Sequence, residues 1–183
     1  AQANGRTVQV EDALTLQRSA RWVIDDQMRA RHHLIHEDLD SVLSQATVRL
    51  AFADGRSVLV QPMPRGFAGL PAMYWLLCGF ALLLYLVAMI VLMAKPNGRN
   101  LLYAVLSLSQ AGNLVFIAIE ATLDLALPSA FAHLDLPMRV GFDLVTAAAI
   151  VNAACVHPRR LPGGAVIAFA AWSGAIGLTW LVG

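Results

Sequence analysis

The sequence predicts an α-helical integral membrane protein in which four transmembrane helices follow a small α+β extracytoplasmic head. The chain is 58% hydrophobic and only 14% charged, and most of its charged residues precede residue 70. Beyond that point come four apolar stretches, each close to the ~20 residues that cross a hydrocarbon core of about 30 Å. These predicted spans cover residues 70–94, 101–121, 137–156 and 165–183.

The connections between the spans predict their orientation. The first connection (95–100) and the third (157–164) are basic, whereas the second (120–138) carries Glu120, Asp124 and Asp135 and no Lys or Arg. Lys and Arg in short loops mark the cytoplasmic side of a membrane. The head, residues 1–69, is therefore expected outside, with a periplasmic N-terminus at a bacterial inner membrane.

Within the head, residues 36–62 predict a helix followed by a β-hairpin. Apolar residues from 39 to 46 recur with helical spacing, and acidic residues occupy the first turn. Residues 47–52 and 57–60 alternate between apolar and polar, and Asp54-Gly55 between them is a typical hairpin turn. A chain of this length can build only a small core in the head.

Three histidines cluster in the head: His32, His33 and His36. On a helix, His32 and His36 lie one turn apart, a spacing that can chelate Zn, Cu or Ni, and Asp40 extends that face. A stable metal site needs a third firm ligand, which the sequence does not supply. The pattern therefore favours a solvated surface or capping role over a metal site at His32 and His36 or a pH-sensing role.

Polar residues within the predicted spans are costly in hydrocarbon unless they are partnered. Four of them suggest either a polar pocket that opens outward or hydrogen bonds between helices: Gln110, Asn113, Glu120 and Asp143. Interhelical hydrogen bonding is favoured, because Glu120 and Asp143 can both reach the membrane interface and its water.

Small residues in the last two spans predict close helix packing with this chain or a partner chain. The positions concerned are Ala147, Ala154, Ala170, Gly174 and Gly177. The first span, rich in Leu, Ile, Val and Met, is expected to face the lipid bilayer, and the sequence leaves a homodimer open.

Several functions find no support in the sequence. There is no nucleophile elbow, phosphate-binding glycine loop or haem-attachment motif, so neither a catalytic site nor a cofactor is predicted. No Lys/Arg run of the kind that binds nucleic acid is present, and the net charge is only +1. Cys78 and Cys155 are expected near opposite membrane faces and therefore unpaired.

Two resemblances add to this interpretation. The helix, strand, Asp-Gly-Arg turn and strand of residues 36–62 resemble the C-terminal half of PDZ-like domains, although the Gly-Leu-Gly-Phe-type loop is absent and no peptide-binding residue carries over. The layout of residues 37–183, a small exported head that enters a multi-span body, resembles the N-terminal sensor region of multi-span bacterial sensor histidine kinases.

The second resemblance implies a two-component signal-transduction protein that relays a periplasmic or intramembrane signal to a cytoplasmic module. Four spans leave Gly183 outside, so the histidine kinase module would then lie beyond Gly183 and after at least one further span. The chief alternative is an accessory or structural subunit of a larger membrane complex. A half-transporter is less favoured, because the spans show no internal repeat.

Overall fold

The computed structural model describes residues 2–3, 6–7, 13–17, 19–52, 54–63, 66–122, 129–157 and 159–182. The chain is mostly helical and divides into two units. The first unit comprises Ala1–Pro71 and Glu120–Asp135, and the second comprises Ala72–Ile119 and Leu136–Gly183.

The first unit combines short helices with a four-stranded antiparallel sheet. Its strands are β1 (Gln2–Ala3), β2 (Arg6–Thr7), β3 (Val48–Ala51) and β4 (Ser57–Val60), in the order β2-β1-β3-β4. Its helical elements are α1 (Ala13–Leu16), a 3₁₀ turn at Ala20–Trp22, α2 (Asp26–Leu43) and a second 3₁₀ turn at Phe67–Gly69.

Helix α2 begins at Asp26, upstream of the start predicted near residue 36. Asp25 caps it, because its side chain accepts a hydrogen bond from the amide of Met28 at 2.9 Å. The C-terminal half of α2 packs on the sheet through a small core of Leu39, Val42 and Val48, flanked by Ile35 and Leu50.

Strands β3 and β4 lie within the two segments that predicted the hairpin. They pair from Val48 opposite Val60 to Ala51 opposite Ser57. Gly55 takes a φ of 82° in the turn, a conformation that glycine adopts without steric cost. Strand β4 is the last strand of the sheet, and all four of its residues are exposed.

Four further helices follow: α3 (Ala72–Ala94), α4 (Gly98–Thr122), α5 (Ser129–Val156) and α6 (Gly164–Val182). Each contains a segment long and apolar enough to cross a membrane, as the sequence predicts. Helix α4 starts earlier than predicted because the side chain of Asn97 caps it, accepting from the amide of Asn100 at 2.8 Å.

Helix α5 starts earlier than the predicted third span, so the predicted second connection is shorter than expected. It begins at Ser129, so Pro137 lies inside the helix rather than at its start. Proline at an interior position removes one helical hydrogen bond but leaves the helical φ intact. As a result α5 contributes Ser129–Asp135 to the first unit and Leu136–Val156 to the second. Residues 123–128 of the predicted connection lie outside the described residues.

Glycines bring the helices of the second unit close together. A Cβ at Gly112 of α4 would lie 2.6 Å from Cζ of Phe142 on α5. A Cβ at Gly141 would lie 3.3 Å from Cγ2 of Thr179, and one at Gly164 would lie 3.1 Å from Cβ of Cys155. These contacts place α4 against α5, and α5 against α6.

The five small residues predicted to mediate packing are all exposed within this chain. No described atom lies within 4 Å of a Cβ built at Gly174 or Gly177. The alanines that are buried instead are Ala148, Ala149, Ala168 and Ala175. The face predicted from the sequence is therefore open to lipid or to another chain.

Candidate functional site

Four histidines come together in the first unit. His32, His33 and His36 project from α2, and His133 projects from the first turns of α5. The rings of His32 and His36 have centroids 4.2 Å apart, and the rings of His33 and His133 stack at 5.5 Å with an interplanar angle of 10°. We call these four residues the histidine cluster.

The segment that follows α1 covers the histidine-bearing face of α2. The carbonyl oxygen of Gln17 lies 2.7 Å from Nε2 of His32 and 3.1 Å from Nε2 of His36. A carbonyl can only accept, so both nitrogens donate. The two residues are 1% and 2% exposed, and the predicted solvated surface is therefore wrong. The sequence suggested a surface because histidine is polar, whereas here the covering backbone satisfies it.

The surroundings of His33 and His36 favour neutral imidazoles. Burial lowers the pKa of His36 below the ordinary 6.5, with a further contribution from His32, although the carbonyls of Gln17 and Leu14 act in the opposite sense. Burial also lowers the pKa of His33, assisted by repulsion from His32, His133 and Arg29. Among the described residues, the buried Nδ1 of His32 has no hydrogen-bond partner to receive an added proton.

A second contact joins the start of α5 to the rest of the first unit. The hydroxyl of Ser19 donates to Oδ2 of Asp135 at 3.2 Å, and both side chains are buried. The sequence placed His133 and Asp135 in an outer loop, because Pro137 resembles a helix start. The helix-forming residues Ala130, Ala132 and Leu134 were the signal for a longer helix.

The structure does not supply the third ligand that a metal site at His32 and His36 would need. Across the described ranges, no group of three His, Cys, Asp or Glu residues is arranged to hold a metal ion. The Nε2 atoms of His32 and His36 converge, but on the carbonyl oxygen of Gln17.

The polar residues predicted in the spans form hydrogen bonds between α4 and α5. Nε2 of Gln110 donates to Oγ1 of Thr146 at 2.9 Å, and Nδ2 of Asn113 donates to Oδ1 of Asp143 at 2.7 Å. Each helix contributes two residues three positions apart, so the donors on one helix match the acceptors on the other. This arrangement corresponds to the interhelical alternative of the sequence interpretation.

Glu120 does not take part in these two bonds. It lies seven residues beyond Asn113 on α4, about 10 Å along the helix axis, and belongs to the first unit. Of the four residues suggested for a pocket, only Asn113 and Asp143 are thus shown bonded to each other.

No protein-family model, curated protein or solved structure gives a significant match to this chain. The chain itself defines a broad class, namely a mostly helical protein with four candidate membrane-spanning helices.

The histidine cluster predicts that the first unit loses stability in acid. An unfolded chain takes up protons at the ordinary histidine pKa of 6.5, whereas His33 and His36 in the folded unit do so at lower pH. Stability is therefore greatest above about pH 6.5 and declines as the pH falls toward the folded pKa values. Thermal unfolding of the purified protein in nanodiscs, followed from about pH 8 to pH 5, checks this.

The His36→Gln variant keeps an N–H donor for Gln17 but cannot titrate, so its unfolding temperature should depend less on pH. His157→Gln, an exposed position in the second unit, is the matched control and should behave like the natural protein. Equal pH dependence in both variants would contradict a role for the histidine cluster.

The Asn113–Asp143 bond predicts a measurable coupling between α4 and α5. In a double-mutant cycle of Asn113→Ala and Asp143→Ala, the free energy of unfolding in detergent should show an interaction of about 0.6–1.7 kcal/mol. Asn113→Ala combined with Thr179→Ala is the control, because the Thr179 hydroxyl donates within α6 to the carbonyl of Ala175, and its effects should add. An additive Asn113–Asp143 cycle would show that the bond contributes nothing to packing.

Proposed function

We propose that this chain is the sensing and membrane-spanning part of a bacterial signal-transduction protein. Its first unit would receive the signal, and its helices would pass the signal, through at least one further span, to a cytoplasmic output module beyond residue 183, of the histidine kinase class that the layout resembles. One observation carries the proposal: α5 belongs to both units, and the part in the first unit bears His133 of the histidine cluster.

The signal that the histidine cluster is suited to register is a fall in extracytoplasmic pH. Its imidazoles are held close together with lowered pKa values at His33 and His36, so proton uptake places like charges a few ångströms apart. Helix α1 and the segment after it face the cluster with the carbonyls of Leu14 and Gln17, and the adjoining 3₁₀ turn bears Arg21. Among the described residues, Arg29 on α2 lies beside His33, and Asp135 lies two residues beyond His133 on α5.

Helix α5 offers a route for the response. The stack of His33 on His133, with ring centroids 5.5 Å apart, joins α2 to α5, and His133 disfavours a positive charge on His33. Pro137 has no N–H to donate to the carbonyl of His133, so the helix is weakened where it passes from the first unit to the second. Protonation would thus favour a second arrangement of α5 over the first.

The positive charge of the connections before α4 and after α5 supports the proposal that the first unit lies outside the cytoplasm. Arg99 at the start of α4 and Arg160 after α5 line the same cavity, so the two basic connections lie at one end of the second unit. By the positive-inside rule that end is the cytoplasmic one in a bacterial inner membrane.

A subunit of a larger membrane complex is the second candidate function. It is favoured by the open face of α6, where Phe169 is 74% exposed and Trp180 is 87% exposed. The exposed small residues Gly174 and Gly177 would allow a partner helix, or a second copy of this chain, to approach closely.

The sensing proposal predicts that acid loosens α5 as well as α2. In nanodiscs, hydrogen–deuterium exchange corrected for intrinsic rate should rise in residues 129–142 between about pH 7.5 and pH 5.5, because a proton taken up by His33 is disfavoured across its stack on His133. Residues 80–90 of α3 serve as an internal control and should not change.

Replacing both stacked rings, in a His33→Gln and His133→Gln double variant, should remove the acid response of α5. A rise confined to α2 in the natural protein would contradict a relay through α5, as would an unchanged response in the double variant.

The proposed orientation predicts the activity of reporter fusions. Alkaline phosphatase fused after Ala121 should be active, because that position is expected outside, and the same enzyme fused after Asn97 should be inactive. The reverse pattern would place the first unit in the cytoplasm and remove the basis for an extracytoplasmic signal.

A further inference from the structure

A cavity of about 510 Å³ lies at the basic end of the second unit, between the start of α4 and the end of α5. Its volume falls within the roughly 300–1,000 Å³ typical of ligand sites. Neither the histidine cluster nor the polar pairs of α4 and α5 contribute to its lining. Its lining therefore calls for a separate explanation.

The charged groups that line this cavity are all cationic. Arg99 and Arg160 both contribute, together with His157 and the amide of Asn152, and none of the described lining residues is acidic. The guanidinium of Arg99 lies 5.7 Å from the ring centroid of Tyr103, which also lines the cavity. In the described part of the chain, neither arginine forms an ion pair with a carboxylate. Among the described residues, the cavity thus presents two guanidinium groups without a neighbouring acid.

The rest of the wall is apolar. Leu101, Leu102 and Val156 line it, and Leu101 and Val156 are about half exposed within this chain. A small inorganic anion would leave these side chains in contact with water. An amphiphile with an anionic head and hydrocarbon chains would contact both parts of the lining.

We propose that this cavity binds an anionic phospholipid, with the phosphate at Arg99 and Arg160 and the acyl chains along Leu101 and Val156. Basic pockets at the cytoplasmic ends of membrane helices have the charge and position to bind such headgroups. The second cavity that shares Arg99, about 480 Å³ between α3 and α4, is lined by Lys95 and extends the positive charge along the same end.

The test uses the full chain purified in detergent, with native mass spectrometry to count bound lipid. Phosphatidylglycerol should bind and phosphatidylcholine should not. Arg99→Gln and Arg160→Gln should each weaken phosphatidylglycerol binding about fivefold, from the roughly 1 kcal/mol that one basic side chain contributes near a lipid surface. Both side chains are exposed, so the variants are expected to fold.

Arg159→Gln is the matched control. It removes the same charge from the neighbouring position, and Arg159 is exposed and does not line this cavity. Its lipid binding should stay within twofold of that of the natural protein. An equal loss in the Arg159→Gln and Arg160→Gln variants would overturn the site, since it would indicate attraction by net charge alone.

Inorganic phosphate distinguishes the two sources of the headgroup chemistry. If millimolar phosphate competes with phosphatidylglycerol and raises the unfolding temperature as much as the lipid does, the ligand is a free anion and the lipid proposal is wrong. If phosphate does neither, the proposal stands. These outcomes do not depend on the histidine cluster, so they leave the sensing proposal to its own tests.

Discussion

Hydrocarbon offers no hydrogen bonds to a peptide group, and this constraint shapes most of the chain. Within a bilayer every backbone N–H and C=O must be satisfied inside its own segment, so the apolar stretches can cross only as helices. The same constraint explains the polar pairs between α4 and α5. Asn113 and Gln110 are tolerated there because Asp143 and Thr146 accept hydrogen bonds from their side-chain amides at 2.7 and 2.9 Å.

Buried polar side chains in the first unit also need hydrogen-bond partners. At His32 and His36 the Nε2 atoms of two buried rings donate to one backbone carbonyl, that of Gln17. At His36 this environment favours the neutral ring, since burial makes a charged imidazole costly. The packing around His36 therefore depends on pH, whereas the Asn113–Asp143 pair of the second unit contains no imidazole.

The sequence predicted the elements whose pattern is dominated by apolar residues. Four spans and a hairpin follow from runs and alternation, which need no knowledge of neighbours. It missed the first turns of α2 and the burial of His32 and His36, because only the covering segment reveals that this face is buried. It failed for the start of α5, because Pro137 resembles a first turn, whereas the contact of His133 with His33 joins residues far apart in the sequence. The polar face of α4 could be predicted, but its register against Asp143 and Thr146 depends on helix packing that one sequence does not encode visibly.

Helices α5 and α6 pack closely against each other at two points. Gly141 lies against Thr179 near one end of α6, and Gly164 lies against Cys155 near the other, with no room at either point for an added methyl group to sit freely. A rotation or shift of α5 would therefore also move α6. Helix α6 is the last helix of the described chain, and contacts near both of its ends would spread a displacement of α5 along its whole length.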